Sequence, residues 1–244
     1  MTSPDRPESN AAASDVHPTR RNAVWLTLQF CLRLVFSVWL RYRVRGIERV
    51  AGSGGGLVLI NHQSFLDPLL VGVPLQRPVS YLARDSLFPI PFVGWVLRST
   101  YVMPINRDAA STATIRQAIR RVNDGFLVGL FPEGTRCVDG EVGEFKPGFI
   151  SLIRRIKLPV YPVGIAGAHE AMPRRGLLRL CPRKVHVVFG EPLCPDRLRE
   201  LSRKGQEEAL VEFARNAVIS CQAEAEAWRQ GTSTSLKPLP QEQP

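Results

Sequence analysis

The stretch 57-LVLINHQSFLDPLL-70 decides how the chain is read. An apolar run closes on Asn61, His62 follows at once, and Asp67-Pro68 opens a second apolar run. On a continuous helix, the five positions from His62 to Asp67 would turn about 500° and leave the two side chains about 140° apart. They can meet only if the path breaks between them. The residues supply such a path: a strand over Gly56–Asn61, a turn holding His62, and a helix over about Pro68–Val73. Asp67 then reads as N-cap and Pro68 as the first helical residue. Ser64-x-x-Asp67 also has the spacing of a capping box. Capping alone would account for Asp67, and an ordinary loop histidine would account for His62. The pair points to chemistry, because a carboxylate bonded to one ring nitrogen fixes the tautomer and raises the basicity of the other.

A second stretch, 127-LVGLFPEGTR-136, repeats the plan of an apolar run ending in polar groups. Gly134 permits a tight backbone path, and Thr135 and Arg136 follow it. The Arg136 fork suits a phosphate. Glu133 could orient that Arg or accept from a substrate hydroxyl; a plain turn with a surface ion pair is the alternative. After another strand, 105-INRD-108 adds Arg107. The two main runs are expected to be neighbouring strands whose ends form one pocket for a phosphorylated, hydroxylated substrate, since open α/β sheets bind ligands there.

Outward from these stretches, strand-like runs alternate with helical patterns. The strands expected are Gly56–Asn61, Val79–Ala83, Tyr101–Ile105, Phe126–Phe131, Val160–Gly164 and Lys184–Phe189. Helices are expected at about Pro68–Val73, Pro91–Leu97, Ala110–Asn123 and Gly148–Ile156, with a long one over Gln206–Trp228. The fold class is α/β: a single domain with a mixed or mostly parallel central sheet flanked by helices, plus an N-terminal membrane-associated helix. The chain divides into a polar tail (1–20), the apolar segment (21–45), the α/β domain (46–200), a C-terminal helix (201–230) and a second polar tail (231–244), both tails being read as disordered.

The segment 22-NAVWLTLQFCLRLVFSVWL-40 is long enough to span a bilayer, for which about 20 residues suffice. Gln29, Arg33 and Ser37 recur at i, i+4, i+8 and mark one narrow polar stripe. An Arg at mid-span is costly in lipid. A helix lying in the membrane interface, its stripe toward water or protein, fits better, with a buried core helix as the plain alternative. Arg41, Arg43 and Arg45 follow where a signal peptide would carry a small-residue cleavage site.

The 244 residues carry 32 Lys+Arg against 22 Asp+Glu, a net charge of +10 that suits an anionic partner. No zinc-finger, basic-zipper or aromatic RNA-binding pattern is present, so nucleic acid is not expected. Five widely spaced Cys without a C-x-x-C fit reduced thiols on the cytoplasmic side. No G-x-S-x-G elbow occurs. Nothing marks Cys137 as activated. "GSGGG" (52–56) precedes a strand, whereas a dinucleotide loop follows one. His169-Glu170 lacks the second His of a zinc-protease helix, and no metal site is expected. The chemistry left is direct: a base takes a proton from a substrate hydroxyl, which attacks an acyl group with no covalent enzyme intermediate.

These motifs resemble those of the glycerolipid acyltransferases, the 1-acylglycerol-3-phosphate acyltransferase group. "NHQSFLD" is similar to their N-H-x-x-x-x-D signature, "PINR" to the second, "FPEGTR" to the third and "LPVYPVGI" (158–165) to the fourth. "ARDSLFPIPFVGWVLR" (83–98) resembles the segment between the first two, and the likeness covers about 46–193. The resemblance implies that His62 deprotonates the acceptor hydroxyl and Asp67 orients His62. It implies that Arg107, Glu133, Gly134, Thr135 and Arg136 hold the acceptor's phosphate and glycerol, with Lys146 and Gly148 of "FKPG" bordering the site. The implied donor is acyl-CoA or acyl-carrier protein, and no cofactor is implied. The implied acceptor is a lysophospholipid, foremost 1-acyl-glycerol-3-phosphate; glycerol 3-phosphate, another lysophospholipid, a lyso-aminolipid, or a catalytically silent membrane-binding protein are the alternatives. A diacyl product stays in lipid, since burying each CH₂ contributes about 0.8 kcal/mol, so a site at a membrane surface is expected.

Overall fold

In the computed structural model, residues 22–50, 52, 54–105, 112–173 and 179–232 are described. The centre of the fold is a seven-stranded sheet in the order β1-β7-β6-β2-β5-β3-β4. The strands are β1 (Arg43–Arg45), β2 (Gly56–Ile60), β3 (Val79–Arg84), β4 (Met103–Ile105), β5 (Leu127–Leu130), β6 (Val160–Ala166) and β7 (His186–Phe189). The five strands from β2 to β6 run parallel. β7 pairs antiparallel with β6, and β1 pairs parallel with β7. The sheet is therefore mixed but mostly parallel.

The central strands are apolar on both faces because helices cover both. Along β2, Leu57 and Leu59 point to one core layer while Val58 and Ile60 point to the other. The first layer lies under α4 (Thr112–Asn123), α5 (Ile150–Ile153), α7 (Pro195–Leu201) and α8 (Glu207–Gln230). The second lies under α1 (Ala23–Trp39), α2 (Asp67–Gly72) and α6 (Ala168–Ala171), with α3 (Pro91–Ser99) beside α1. Gly164 lets α8 press onto β6, since a Cβ there would overlap the backbone of Gln222.

Every strand expected from the sequence is present, each boundary within two residues. Two boundaries differ. β1 lies inside the segment assigned to the membrane-associated helix: residues 43–45 add an edge strand to the sheet. The expected helix over Gly148–Ile156 is a 3₁₀ turn (Pro147–Phe149) followed by the short α5.

α1 settles which way its polar stripe faces. Gln29 is buried, and its Nε2 donates to the carbonyls of Val73 and Leu75, both at 2.7 Å. Arg33 Nε donates to the same Val73 carbonyl at 3.2 Å. Gln29 and Arg33 thus bond carbonyls at and just past the end of α2, while Ser37 of the stripe is exposed. Trp25 and Phe36 are buried on the same side. The opposite side, Leu26, Phe30, Leu34 and Val38, faces outward. Phe92 and Trp95 of α3 are exposed as well, and the Asn22 amide ties the two helices by donating to the Ser99 carbonyl at 2.7 Å. Among the described residues, no helix is long and apolar enough to cross a membrane.

Candidate active site

The apolar runs that carry the two leading motifs are adjacent strands. β2 and β5 pair in parallel, Leu59 opposite Leu130, so both chains leave the sheet at the same edge. Asn61 holds that exit: its side-chain amide donates to the Ile165 carbonyl and its oxygen accepts from the Ile165 N–H, at 2.9 and 2.7 Å. The carboxamide extends the pairing of β2 with β6 by one residue and leaves the next residue free to turn out.

That next residue is His62. Its Nδ1 lies 2.8 Å from Asp67 Oδ2. The same oxygen accepts from the Gln63 and Ser64 N–H groups at 2.6 and 2.7 Å. Asp67 is the first residue of α2, not its N-cap, which is Leu66. Its carboxylate turns back onto the loop instead of capping the helix. Burial pushes the Asp67 carboxyl above the usual carboxylate range, while the bond to His62 and the two N–H groups pull it down. An oxygen that accepts three bonds is a carboxylate oxygen, which puts the hydrogen of the imidazole bond on Nδ1 and the lone pair on Nε2. Nε2 has no protein partner among the described residues, and the ring stays partly open to solvent.

The imidazole is also held flat. Phe131 stacks on it with ring centroids 4.2 Å apart, and Tyr81 lies behind Phe131 at 6.1 Å. Tyr81 fits because position 129 is glycine: a Cβ there would overlap the Tyr81 ring.

Glu133 faces inward. Its two oxygens accept from the N–H groups of His62 (2.8 Å) and Gly143 (3.3 Å), and the residue is buried. Burial pushes its carboxyl up, and those two N–H groups pull it down. It does not pair with Arg136. The fork–carboxylate arrangement considered from sequence is replaced by a brace between the loops after β2 and β5. Cys137 N–H donates to the His62 carbonyl at 2.8 Å and ties the loops a second time.

Arg136 lies over the exposed ring of Phe65, guanidinium carbon 3.6 Å from the centroid. Phe65 belongs to the His62 loop, so this contact brings Arg136 against the same loop that carries the imidazole. Gly134 has φ +68°, a left-handed conformation that suits glycine. A Cβ there would stand 3.2 Å from Lys146 Nζ, so the lysine chain lies across the glycine. Thr135 is exposed beside it, and Gly148 is exposed near Lys146. Arg107 lies outside the described residues. β4, which precedes it, is the edge strand beyond β3. Burial pushes the Cys137 thiol up to about 11, away from the thiolate form that a nucleophilic cysteine uses. Among the described residues, no group of three or more His, Cys, Asp or Glu could hold a metal ion.

Several site residues escaped the sequence reading. Gln63 is buried and bridges the loops, donating to the Gly140 carbonyl at 2.6 Å and accepting from Ala168 N–H at 3.0 Å. From α8, Arg215 donates to the carbonyls of Gly143 and Val142, both at 2.8 Å, and Gln222 donates to that of Gly140 at 3.3 Å. Phe131 carried a weak signal, an aromatic residue at the very end of a strand whose neighbour ends in His.

An oriented imidazole with an open Nε2 at the carboxyl edge of a parallel sheet is the kind of arrangement that can serve as a general base toward a hydroxyl. A model of the acyltransferase family matches residues 41–166, and the chain belongs to that family. It is 26% identical over 188 residues to a 1-acyl-sn-glycerol-3-phosphate acyltransferase of Bacillus subtilis, covering 75% of this chain and 91% of that one. A protein of the same name from Pseudomonas aeruginosa is 28% identical, with 91% and 77% covered. The chain spans less than half the length, 44%, of the chloroplastic relative from Brassica napus that it also matches, at 29% identity and with 62% of this chain covered. The crystal structure of the 1-acyl-sn-glycerophosphate (LPA) acyltransferase PlsC from Thermotoga maritima superposes with a TM-score of 0.65 at 26% identity, covering 81% of this chain and 79% of that one.

Proposed function

We propose that the chain transfers a fatty acyl group from acyl-CoA or acyl-carrier protein to the free hydroxyl of 1-acyl-glycerol-3-phosphate, forming phosphatidic acid. The observation that carries this reading is the His62–Asp67 bond of 2.8 Å beside Arg136 and Lys146 at the carboxyl ends of β2 and β5. The names of the relatives agree with it.

In this reading His62 Nε2 takes the proton of the acceptor hydroxyl as its oxygen bonds to the thioester carbon. The tetrahedral intermediate then expels the thiolate, and the proton on Nε2 passes to the sulfur. Asp67 keeps the hydrogen on Nδ1 and stabilises the imidazolium between the two steps. Arg136 and Lys146 hold the phosphate, with Gly134, Thr135 and Arg107 beside them. Glu133 serves the acceptor indirectly, by fixing the loop that carries His62. The outward apolar face of α1, with Phe92 and Trp95 of α3, rests in the membrane interface, where the acceptor and product reside, and the catalytic opening faces the cytoplasm.

The test is to incubate purified chain with labelled acyl donor, offered as either thioester, and a panel of acceptors, with products read by mass spectrometry. Phosphatidic acid from lysophosphatidate is the expected product. Preferred acylation of an acceptor without phosphate would overturn the roles given to Arg136 and Lys146.

A further inference from the structure

The basic residues that follow α1 do more than decorate a surface. β1 and β7 run side by side with Arg43 opposite His186. Beside them opens a cleft of about 390 Å³, lined by Arg41, Arg43, Lys184, His186, Trp228 and Arg229. A second hollow of about 220 Å³ shares Arg41 and Lys184 and reaches Val38 and Trp39 of α1. Among the described residues, no carboxylate pairs with Arg41, Arg43 or Lys184. Arg229, by contrast, is committed to Glu170 and Glu226, each at 2.8 Å. One wall is aromatic: Trp228 lies 4.3 Å from the His186 ring and carries Arg45 on its face at 3.9 Å.

His186 marks the cleft as built for a ligand. The residue is 4% exposed, and its buried Nδ1 has no hydrogen-bond partner among the described residues. A buried polar atom without a partner is costly, and so favours a partner from outside the chain. The groups facing it are nearly all cationic: Arg43 and Arg45 from β1, Lys184 ahead of β7, and Arg229 of α8, with Glu170 and Glu226 neutralising only the last. Burial first, then those cations, hold the imidazole down to about 4, so it stays neutral until an anion enters.

Place supplies the rest. His186 pairs with Ala166 at the carboxyl end of β6, and β6 neighbours β2. The cleft therefore opens at the same edge of the sheet as His62. At about 4.8 Å per strand spacing, β7 lies about 10 Å from β2. The rim toward α1 is apolar, Val38 being 72% exposed and Trp39 48%. Cations at the end of an apolar helix face stand where lipid phosphates lie when that face is in the interface.

We propose that this cleft is a non-catalytic docking site for the phosphate of an anionic lipid headgroup, held by Arg41, Arg43, Lys184 and His186 beside the apolar face of α1. It rests on the membrane reading given above. A headgroup seated there fixes how the molecule sits on the bilayer and presents the His62 opening to lipid.

The test is flotation of the full chain with vesicles of phosphatidylcholine alone and of phosphatidylcholine doped with phosphatidylglycerol. The anionic vesicles should bind more tightly, and Arg41→Ala, Arg43→Ala and Lys184→Ala should each weaken that preference about fivefold. Controls with the same charge change elsewhere, Lys157→Ala, Arg203→Ala and Lys204→Ala taken singly, should keep it, and turnover on detergent-dispersed substrate should be unchanged in both sets. NMR of the His186 ring should show its titration moving upward with anionic vesicles. If the controls lose as much binding as the cleft variants, the discrete site is refuted while membrane attachment stands. If wild-type chain floats with neither vesicle, the membrane reading fails and the lipid assignment with it. If inorganic phosphate shifts the His186 titration as far as the anionic vesicles do, the cleft belongs to a soluble phosphate and the lipid assignment is overturned.

Discussion

Two histidines sit at the same edge of one sheet and have opposite surroundings. His62 rests between a carboxylate and a phenyl ring, with Nδ1 bonded and the other nitrogen left open. His186 rests among cations against an indole ring, with its buried Nδ1 unbonded. The first environment orients the ring and leaves a nitrogen free for a substrate; the second opposes a charged ring until an anion arrives. Residue type alone says nothing of which is which. The neighbours delivered by the strand order decide.

The largest effect that could break this contrast is at His62. His62→Ala should lower turnover by about 10²–10⁴-fold with little change in melting temperature. His186→Ala should leave turnover on detergent-dispersed substrate within about twofold, a value below the smallest effect of losing a general base. A His62→Ala chain with wild-type turnover would end the general-base role.

The next contrast lies within the His62 loop. Asp67→Asn keeps an oxygen for the Gln63 and Ser64 N–H groups but gives up the charge that pairs with an imidazolium. Turnover should fall about 10²-fold with the fold retained. Asp67→Ala removes the acceptor too, and should further cost about 1.5–3 kcal/mol in urea denaturation. Equal stability of the two variants would show that the carboxylate does not hold the loop.

Smaller still is the effect behind the ring. Gly129→Ala forces the Tyr81 ring to shift, and overpacking of this kind costs about 1–3 kcal/mol. Denaturation should show it, and turnover should drop through the displaced Phe131. An unchanged kcat would remove Phe131 from the positioning of His62.

The smallest effect sharpens the His186 side. Unfolded, this group takes a proton near 6.5; folded, only near about 4. Between those values the unfolded chain binds more protons, so stability is full above 6.5 and falls as pH drops toward 4. His186→Gln should flatten that portion of the pH–stability curve.

Much of this was legible in the sequence, for identifiable reasons. The His62–Asp67 contact followed from the break in periodicity at Asn61, because a five-residue spacing works only across a turn. The strands that carry the candidate site were visible as short apolar runs ending in polar groups. The pairing of β2 with β5 was an expectation that the coordinates supplied, since chain order does not reveal strand order. β1 was hidden because three residues flanked by arginines read as a basic cluster beside a membrane helix, although charged flanks are also how an edge strand discourages further pairing. The stripe on α1 was visible, but the wheel could not say that Gln29 and Arg33 face protein. Gln63 and Phe131 left no mark because their roles depend on loops brought together from distant parts of the chain. Arg107 lies outside the described residues.

The contacts from α8 bear on how the molecule can be altered. Because Arg215 and Gln222 grip the backbone of 140–143, and Gly143 in turn grips Glu133, the last helix is a lever on the loop under the imidazole. Substitution of Arg215 or Gln222 would therefore reach His62 through that loop without touching any group proposed to meet substrate.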